Sequence, residues 1–182
     1  MLAVDKDDRH ASMTRHPAFR LAWCLIGAAV GLTAALHAVA PPASPFLLAS
    51  LGGSGVFLFG LTRAPAAQPR ALFGGHLGGA LVGIMCYQMF GDLLWVYVLA
   101  LVCALALMLL TRTVHPPAGA NPLIMVAAHA GFGALWHTVF VGVLALAAVA
   151  FVWTRLVPGL ARYPVSPLEP SPPTVLWGGW DD

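Results

Sequence analysis

Carboxylates are almost missing from the middle of this chain. Of its seven acidic residues, only Asp92 lies between Asp8 and Glu169. A cation path ordinarily needs carboxylates or rings of ordered carbonyls, so this absence argues against one. Charge of either sign is scarce, at 9% of 182 residues with a net charge of +2. That is too little to cover a soluble domain and too scattered to attract nucleic acid. Cysteine is limited to Cys24, Cys86 and Cys103, each inside an apolar run and without CxxC spacing. They read as small apolar fillers, and no metal site is expected. Ser/His/Asp sets, paired carboxylates and HExxH are lacking, which speaks against an enzyme. Without Gly-Lys-Ser/Thr there is no phosphate loop, and no cofactor is expected.

What the chain has instead is apolar residues, 59% of the total, and a mean hydropathy of +0.83. The reading is an all-α membrane protein embedded in a lipid bilayer. Six hydrophobic segments are predicted, near Phe19–Val39, Pro45–Leu61, Ala71–Phe90, Leu93–Leu110, Gly119–Ala134 and His137–Val157. Segments two and five are short and broken by Pro and Gly. A leader (1–18), a transmembrane domain (19–157) and a Pro-rich, extended tail (158–182) follow from this division. In the tail, Trp177 and Trp180 suit either a membrane interface or a free end. Ala38-Val39-Ala40 resembles a signal cleavage site, but the long apolar run and Pro41 favour a retained helix.

Six crossings place Lys6, Arg9, Arg15, Arg20, Arg63, Arg70, Arg112, Arg155 and Arg162 on one side, which is every basic residue. Four crossings with two re-entrant loops would strand Arg63, Arg70 and Arg112 on the other side. The positive-inside rule therefore favours six crossings with both termini cytoplasmic, in a bacterial inner membrane.

The chain also repeats. Val39-Ala40-Pro41-Pro42-Ala43-Ser44-Pro45-Phe46-Leu47 aligns with Val114-His115-Pro116-Pro117-Ala118-Gly119-Ala120-Asn121-Pro122-Leu123, allowing one inserted residue. Each pair of prolines ends a helix and begins a shorter one. Each short segment leads to a long one starting near a histidine, His76 or His137. Two units of three segments result, and an odd number inverts the second relative to the first, a recurring transporter design. The new helix starts then present free N–H groups near the midplane.

Polar residues around these breaks form the candidate substrate site: Arg112, His115, Asn121, Thr111 and Thr113 at the second break, Ser54 and Gly53 in segment two, and His76 and Arg70 in segment three. Arginine, histidine and hydroxyls without carboxylates suit a small inorganic anion. Two readings of Arg112 stay open, an anion anchor or a basic residue snorkelling to headgroups. His115 reads as a ligand or as a helix cap, and His76 as a ligand or as a bond across a packed Gly75-xxx-Gly79-xxx-Gly83 stripe. His129 and His137 fall near an outer loop and read as solvated, while His37 reads either way. The glycine stripes, including Gly27-xxx-Gly31, also suggest a homo-oligomer, a dimer by preference.

Several ordered motifs resemble the HPP family of small integral membrane proteins. They are Thr111-Arg112-Thr113-Val114-His115-Pro116-Pro117-Ala118-Gly119-Ala120, Ser50-Leu51-Gly52-Gly53-Ser54-Gly55, Ala67-Gln68-Pro69-Arg70 and Gly74-Gly75-His76, within about residues 20–164. The family pattern is described as four spanning helices, against the six segments read here. The resemblance implies nitrite transport, known for plastid and cyanobacterial relatives, with Arg112, His115 and Asn121 at the anion site. Ala71 and Asn121 depart from residues common in relatives. Some relatives carry C-terminal CBS domains, for which this tail leaves no room. The expectation is a transporter or channel for a small monovalent anion, nitrite or nitrate. The alternative is a non-transporting membrane sensor or scaffold.

Overall fold

A computed structural model of the chain describes residues 16–39 and 45–175. Pro41 and Pro42, the first of the two expected breaks, lie outside the described residues, as do most of the leader and Trp177 and Trp180.

Among the described residues six helices form, with no strand beyond one isolated bridge between Thr113 and Ser171. α1 spans Pro17–Ala38. α2 spans Pro45–Gly55 and continues as a π-helical turn over Val56–Gly60. α3 spans Pro69–Phe90 and α4 spans Leu94–Thr111. A 3₁₀ turn over Pro116–Ala120 leads into α5, Asn121–Ala127. α6 spans Phe132–Trp153. α1, α4 and α6 are long and apolar enough to cross a membrane. α3 matches α1 in length, at 22 residues. It is diluted by five glycines, a glutamine and a histidine, and it forms the buried centre of the bundle.

Close packing on α3 depends on its missing β-carbons. A β-carbon at Gly75 would fall 3.0 Å from the Thr113 carbonyl, and one at Gly79 would fall 3.0 Å from that of Ala118. At Gly83 it would fall 2.5 Å from the Pro122 carbonyl, and at Gly78 it would press on Leu107 of α4. Small residues let helix backbones approach where apolar burial gives no drive within lipid. Gly27 and Gly31 of α1 receive Phe59 from the π turn and Trp153 and Leu146 from α6. Both stripes are thus occupied within one chain, so they give no basis for joining two copies.

Contacts along α3 also settle the course of the short fifth segment. Thr113 sits on Gly74, Ala118 on Gly75 and Gly79, and Pro122 on Gly83. Further on, the Ala130 carbonyl accepts from Gln88 Nε2 at 3.4 Å. Residues 113–130 therefore accompany α3 for about 21 Å, at about 1.5 Å per residue from Gly74 to Gln88. The segment passes from one end of the bundle to the other and does not turn back. α5 itself ends at Ala127 rather than near Ala134, because His129 adopts a left-handed conformation (φ 50°). Residues from Phe132 onward belong to α6.

α4 and α5 close with the same motif. After α4, Arg112 has φ 54° and ψ 49°, its N–H bonds to Leu109, and the Thr113 N–H bonds to Met108. After α5, His129 bonds back to Val126 and Ala130 to Met125. These are Schellman closures, with arginine and histidine in the left-handed position that glycine usually holds. Both side chains are used. His129 Nε2 meets Asp92 Oδ2 at 2.8 Å, pinning the end of α5 to the α3–α4 turn. Arg112 reaches the tail.

The described tail is no free extension. The Thr154 hydroxyl accepts from the Tyr163 N–H at 2.9 Å, and Arg155 donates to the Tyr163 carbonyl at 2.5 Å. Gln68, fully buried, accepts from the N–H groups of Val165 (2.9 Å) and Ser166 (3.0 Å) through Oε1. It donates through Nε2 to the carbonyls of Thr62 (2.9 Å) and Ala64 (3.1 Å). Ser171 then pairs with Arg112 and Val114 through both backbone groups. The tail so crosses the end of the bundle where Arg63, Arg70, Arg112 and Arg155 gather, while Asp92 and His129 mark the opposite end.

Candidate functional site

Inside the bundle, Ser50, Ser54, His76, His115 and Asn121 are all buried, with at most 1% of any of them exposed. They come from three elements. Ser50 and Ser54 stand one turn apart on α2, His76 lies in the second turn of α3, and His115 and Asn121 bracket the 3₁₀ turn. Residues before proline avoid the helical region, and His115 accordingly is extended (φ −125°, ψ 101°) ahead of Pro116. Pro116 and Pro117 thus hold the imidazole at the neck of the turn. Gly53 lets Pro117 approach, since a β-carbon there would fall 2.9 Å from it.

Ser54 Oγ lies 2.8 Å from His76 Nε2 and 2.8 Å from His115 Nε2, bridging the two rings. The rings are 5.1 Å apart, and Phe57 covers His115 at 5.4 Å. Asn121 Nδ2 lies 2.9 Å from His76 Nδ1 and 3.0 Å from the His76 carbonyl. Ser50 Oγ donates to Asn121 Oδ1 at 2.7 Å. His115 Nδ1 lies 2.6 Å from the Ala66 carbonyl.

These partners fix the hydrogen positions when both rings are neutral. The Ala66 carbonyl only accepts, so His115 carries its hydrogen on Nδ1 and leaves Nε2 bare. The Asn121 amide must point its NH₂ at the His76 carbonyl, so it donates to His76 Nδ1. His76 then holds its hydrogen on Nε2 and donates to Ser54. The Ser54 hydroxyl has two acceptors in reach, His115 Nε2 and the Ser50 carbonyl at 3.0 Å. If His115 gains a proton on Nε2, Ser54 turns its hydrogen to Ser50 and accepts from both rings. The array thus has a hydrogen-bonded place for one added proton with no heavy atom moving.

The expected site set divides. His115, Asn121, Ser54 and His76 meet, with Gly53 beside them. Arg112, Arg70, Thr111 and Thr113 sit toward the basic end. Arg112 donates to the carbonyls of Pro172 (Nε, 3.2 Å) and Pro173. Arg70 donates to the Thr111 carbonyl at 2.9 Å and the Leu168 carbonyl at 3.4 Å. The Thr111 and Thr113 hydroxyls pair with each other at 2.8 Å. The second helix start also offers fewer free amides than expected, because Pro116 and Pro117 have none and that of Ala118 bonds to the His115 carbonyl. His76 and its expected repeat-mate His137 differ too: one is buried in the network, the other exposed on α6.

Ser50 and Gln68 were missed in the sequence. Their signal was present, Ser50 one helical turn before Ser54 and Gln68 an isolated amide before Pro69. At the far end, hydrogen bonds from His129 and then Tyr97 hold the Asp92 carboxyl below its usual range. Among the described residues no group of three or more His, Cys, Asp or Glu is placed to hold a metal.

Comparison with known proteins agrees with the motifs. Two transmembrane proteins of Dictyostelium discoideum are 33% and 34% identical to this chain, over 67% and 66% of its length. The chain spans under half of each relative, 44% and 41%. No solved structure matches. The family model for the HPP transmembrane region matches residues 13–164, and with its motifs in place on the central helices the chain belongs to the HPP family of membrane proteins.

Proposed function

We propose that this protein is a membrane transporter for a small monovalent anion, nitrite foremost, and that the anion moves together with a proton. The observation carrying this reading is the buried His76–Ser54–His115 array, whose hydrogen bonds leave a place for one added proton, within segments that hold no carboxylate to balance it. An added charge at such depth is costly without a partner, and a permeant anion is the available partner. Ser50, Ser54 and Asn121 supply hydroxyl and amide groups to orient it. Nitrite rests on the family resemblance, and nitrate is the nearest competitor.

In this reading Arg112 and Arg70 act as a cationic collar at the cytoplasmic mouth, to which the tail is tied. Both termini are cytoplasmic, in a bacterial inner membrane, as the gathered arginines favour. The long–short–long order of helix lengths, repeated twice, supports two inverted units. A homo-oligomer belongs to the reading as well, through lipid-facing surfaces such as that of α4 rather than through the glycines.

The test uses proteoliposomes holding a trapped pH indicator. Nitrite supplied outside should enter and acidify the lumen faster than in protein-free vesicles. Ser54→Ala and His115→Ala should return both signals to the protein-free level. Wild-type vesicles that pass neither nitrite, nitrate, formate nor chloride would retire the transporter reading. The non-transporting sensor or scaffold would then stand, to be pursued by gentle pull-down of partners.

A further inference from the structure

A second polar region lies apart from the histidine network. A cavity of about 630 Å³ opens at the basic end between the first turns of α1, the π turn of α2 and the end of α6. Arg20, Thr62 and Arg63 supply its polar rim, and Trp23, Phe59 and Trp153 its apolar wall. Trp23 and Trp153 stack at 4.3 Å, and the Trp153 indole donates to the Trp23 carbonyl at 3.1 Å. The Trp23 indole nitrogen is buried and has no partner. Arg63 is exposed, and no ion pair or hydrogen bond engages its guanidinium among the described residues.

The π turn builds this wall. By widening the helix over Val56–Gly60 it directs Phe59 toward Gly27 and Gly31 of α1 and brings Gly60 to the cavity edge. π turns recur at functional sites for this reason, since they re-aim side chains at some cost in regular bonding.

We infer that this cavity binds the headgroup of an anionic phospholipid, its phosphate on Arg63 at the rim, beside Arg20, which is already engaged within the chain, and its glycerol and upper acyl chains along the two tryptophans. Three features select a lipid over a free anion. The volume is roughly twenty times the ~30 Å³ share of one water, more than a bare phosphate fills. The cavity opens beside Leu21, 61% exposed on the outer face of α1, where acyl chains run. Paired tryptophan and arginine at a helix end suit the interface, where one part of the ligand is apolar and the other charged. Guanidinium groups bind phosphate oxygens in pairs, which favours phosphate over a neutral headgroup. The site does not depend on the transport reading, and the histidine network contributes no residue to it.

Tryptophan quenching by brominated lipids tests it on the full chain in mixed bilayers. Brominated phosphatidylglycerol should quench at about fivefold lower mole fraction than brominated phosphatidylcholine, as one open cationic contact implies. Trp23→Phe with Trp153→Phe should remove the preferentially quenched component. Arg63→Gln, a change in an exposed loop, should lower the preference, and Arg20→Gln with Arg63→Gln should erase it while circular dichroism stays that of the wild type. Equal quenching by both lipids, or a preference surviving in the double variant, overturns the inference. Loss of the preference on adding millimolar inorganic phosphate at constant ionic strength also overturns it, in favour of a soluble ion.

Discussion

Ser54 has one hydroxyl hydrogen and two imidazoles to serve. Ser54→Ala leaves two buried ring nitrogens without their partner, at a cost of about 1–3 kcal/mol each. A lowered midpoint of unfolding in detergent, together with lost flux, is the expected outcome. A mutant that loses neither would show the bridge to be ornamental. Gly83→Ala offers a steric counterpart. Its new β-carbon meets the Pro122 backbone, and overpacking of this kind costs about 1–3 kcal/mol. Gly119→Ala, whose β-carbon meets nothing within 4 Å, should leave the same unfolding midpoint nearly unchanged. The four polar site residues were legible because polar side chains in apolar runs stand out. The placement of Arg112 and Arg70 against the tail was not legible, because no sequence pattern shows which carbonyls a distant tail will bring to them.

At the scale of elements, segment existence was legible and the ends were not. Apolar length marks a helix, but the closures after α4 and α5 use arginine and histidine where glycine would have announced a stop. The clasp between the α3–α4 turn and the end of α5 makes a pH prediction. The Asp92 carboxyl is depressed in the folded chain. Its contribution is therefore present above the unfolded carboxylate value, near 3.9, and is lost as pH falls through the lower folded value. Wild type should unfold at higher detergent than Asp92→Asn at pH 6, and the two should converge in strong acid. A gap that persists there would remove Asp92 from the account. The tail has its own lever in Gln68. Gln68→Glu sets a carboxylate against the carbonyls of Thr62 and Ala64, so cleavage by trypsin after Arg162 should quicken severalfold, read by mass spectrometry.

Across the whole molecule, contacts along α3 carry the fifth segment from one end of the bundle to the other, and that course predicts sidedness. Single cysteines placed at Arg63 and Asp92, in a background with Cys24, Cys86 and Cys103 replaced by alanine, should react with a membrane-impermeant maleimide from opposite faces of oriented vesicles. Labelling from one face would contradict full passage by α3. Hydropathy reached the six-segment count because apolar runs mark helices. It did not reach the centrality of α3, whose glycines lower its hydropathy while fitting it to two neighbours at once.

The same network has a consequence for synthesis. The Ser50–Asn121 bond joins residues 71 positions apart in the chain, and the bridge from Ser54 to His115 spans 61. At about 5–20 residues per second, Ser50 and Ser54 of α2 wait roughly 3–14 s before these partners are made. During that interval Ser54 has only His76 and the Ser50 carbonyl to meet, and Ser50 lacks the Asn121 amide. Chains truncated before Asn121 should therefore remain crosslinkable to the insertion site longer than the full chain.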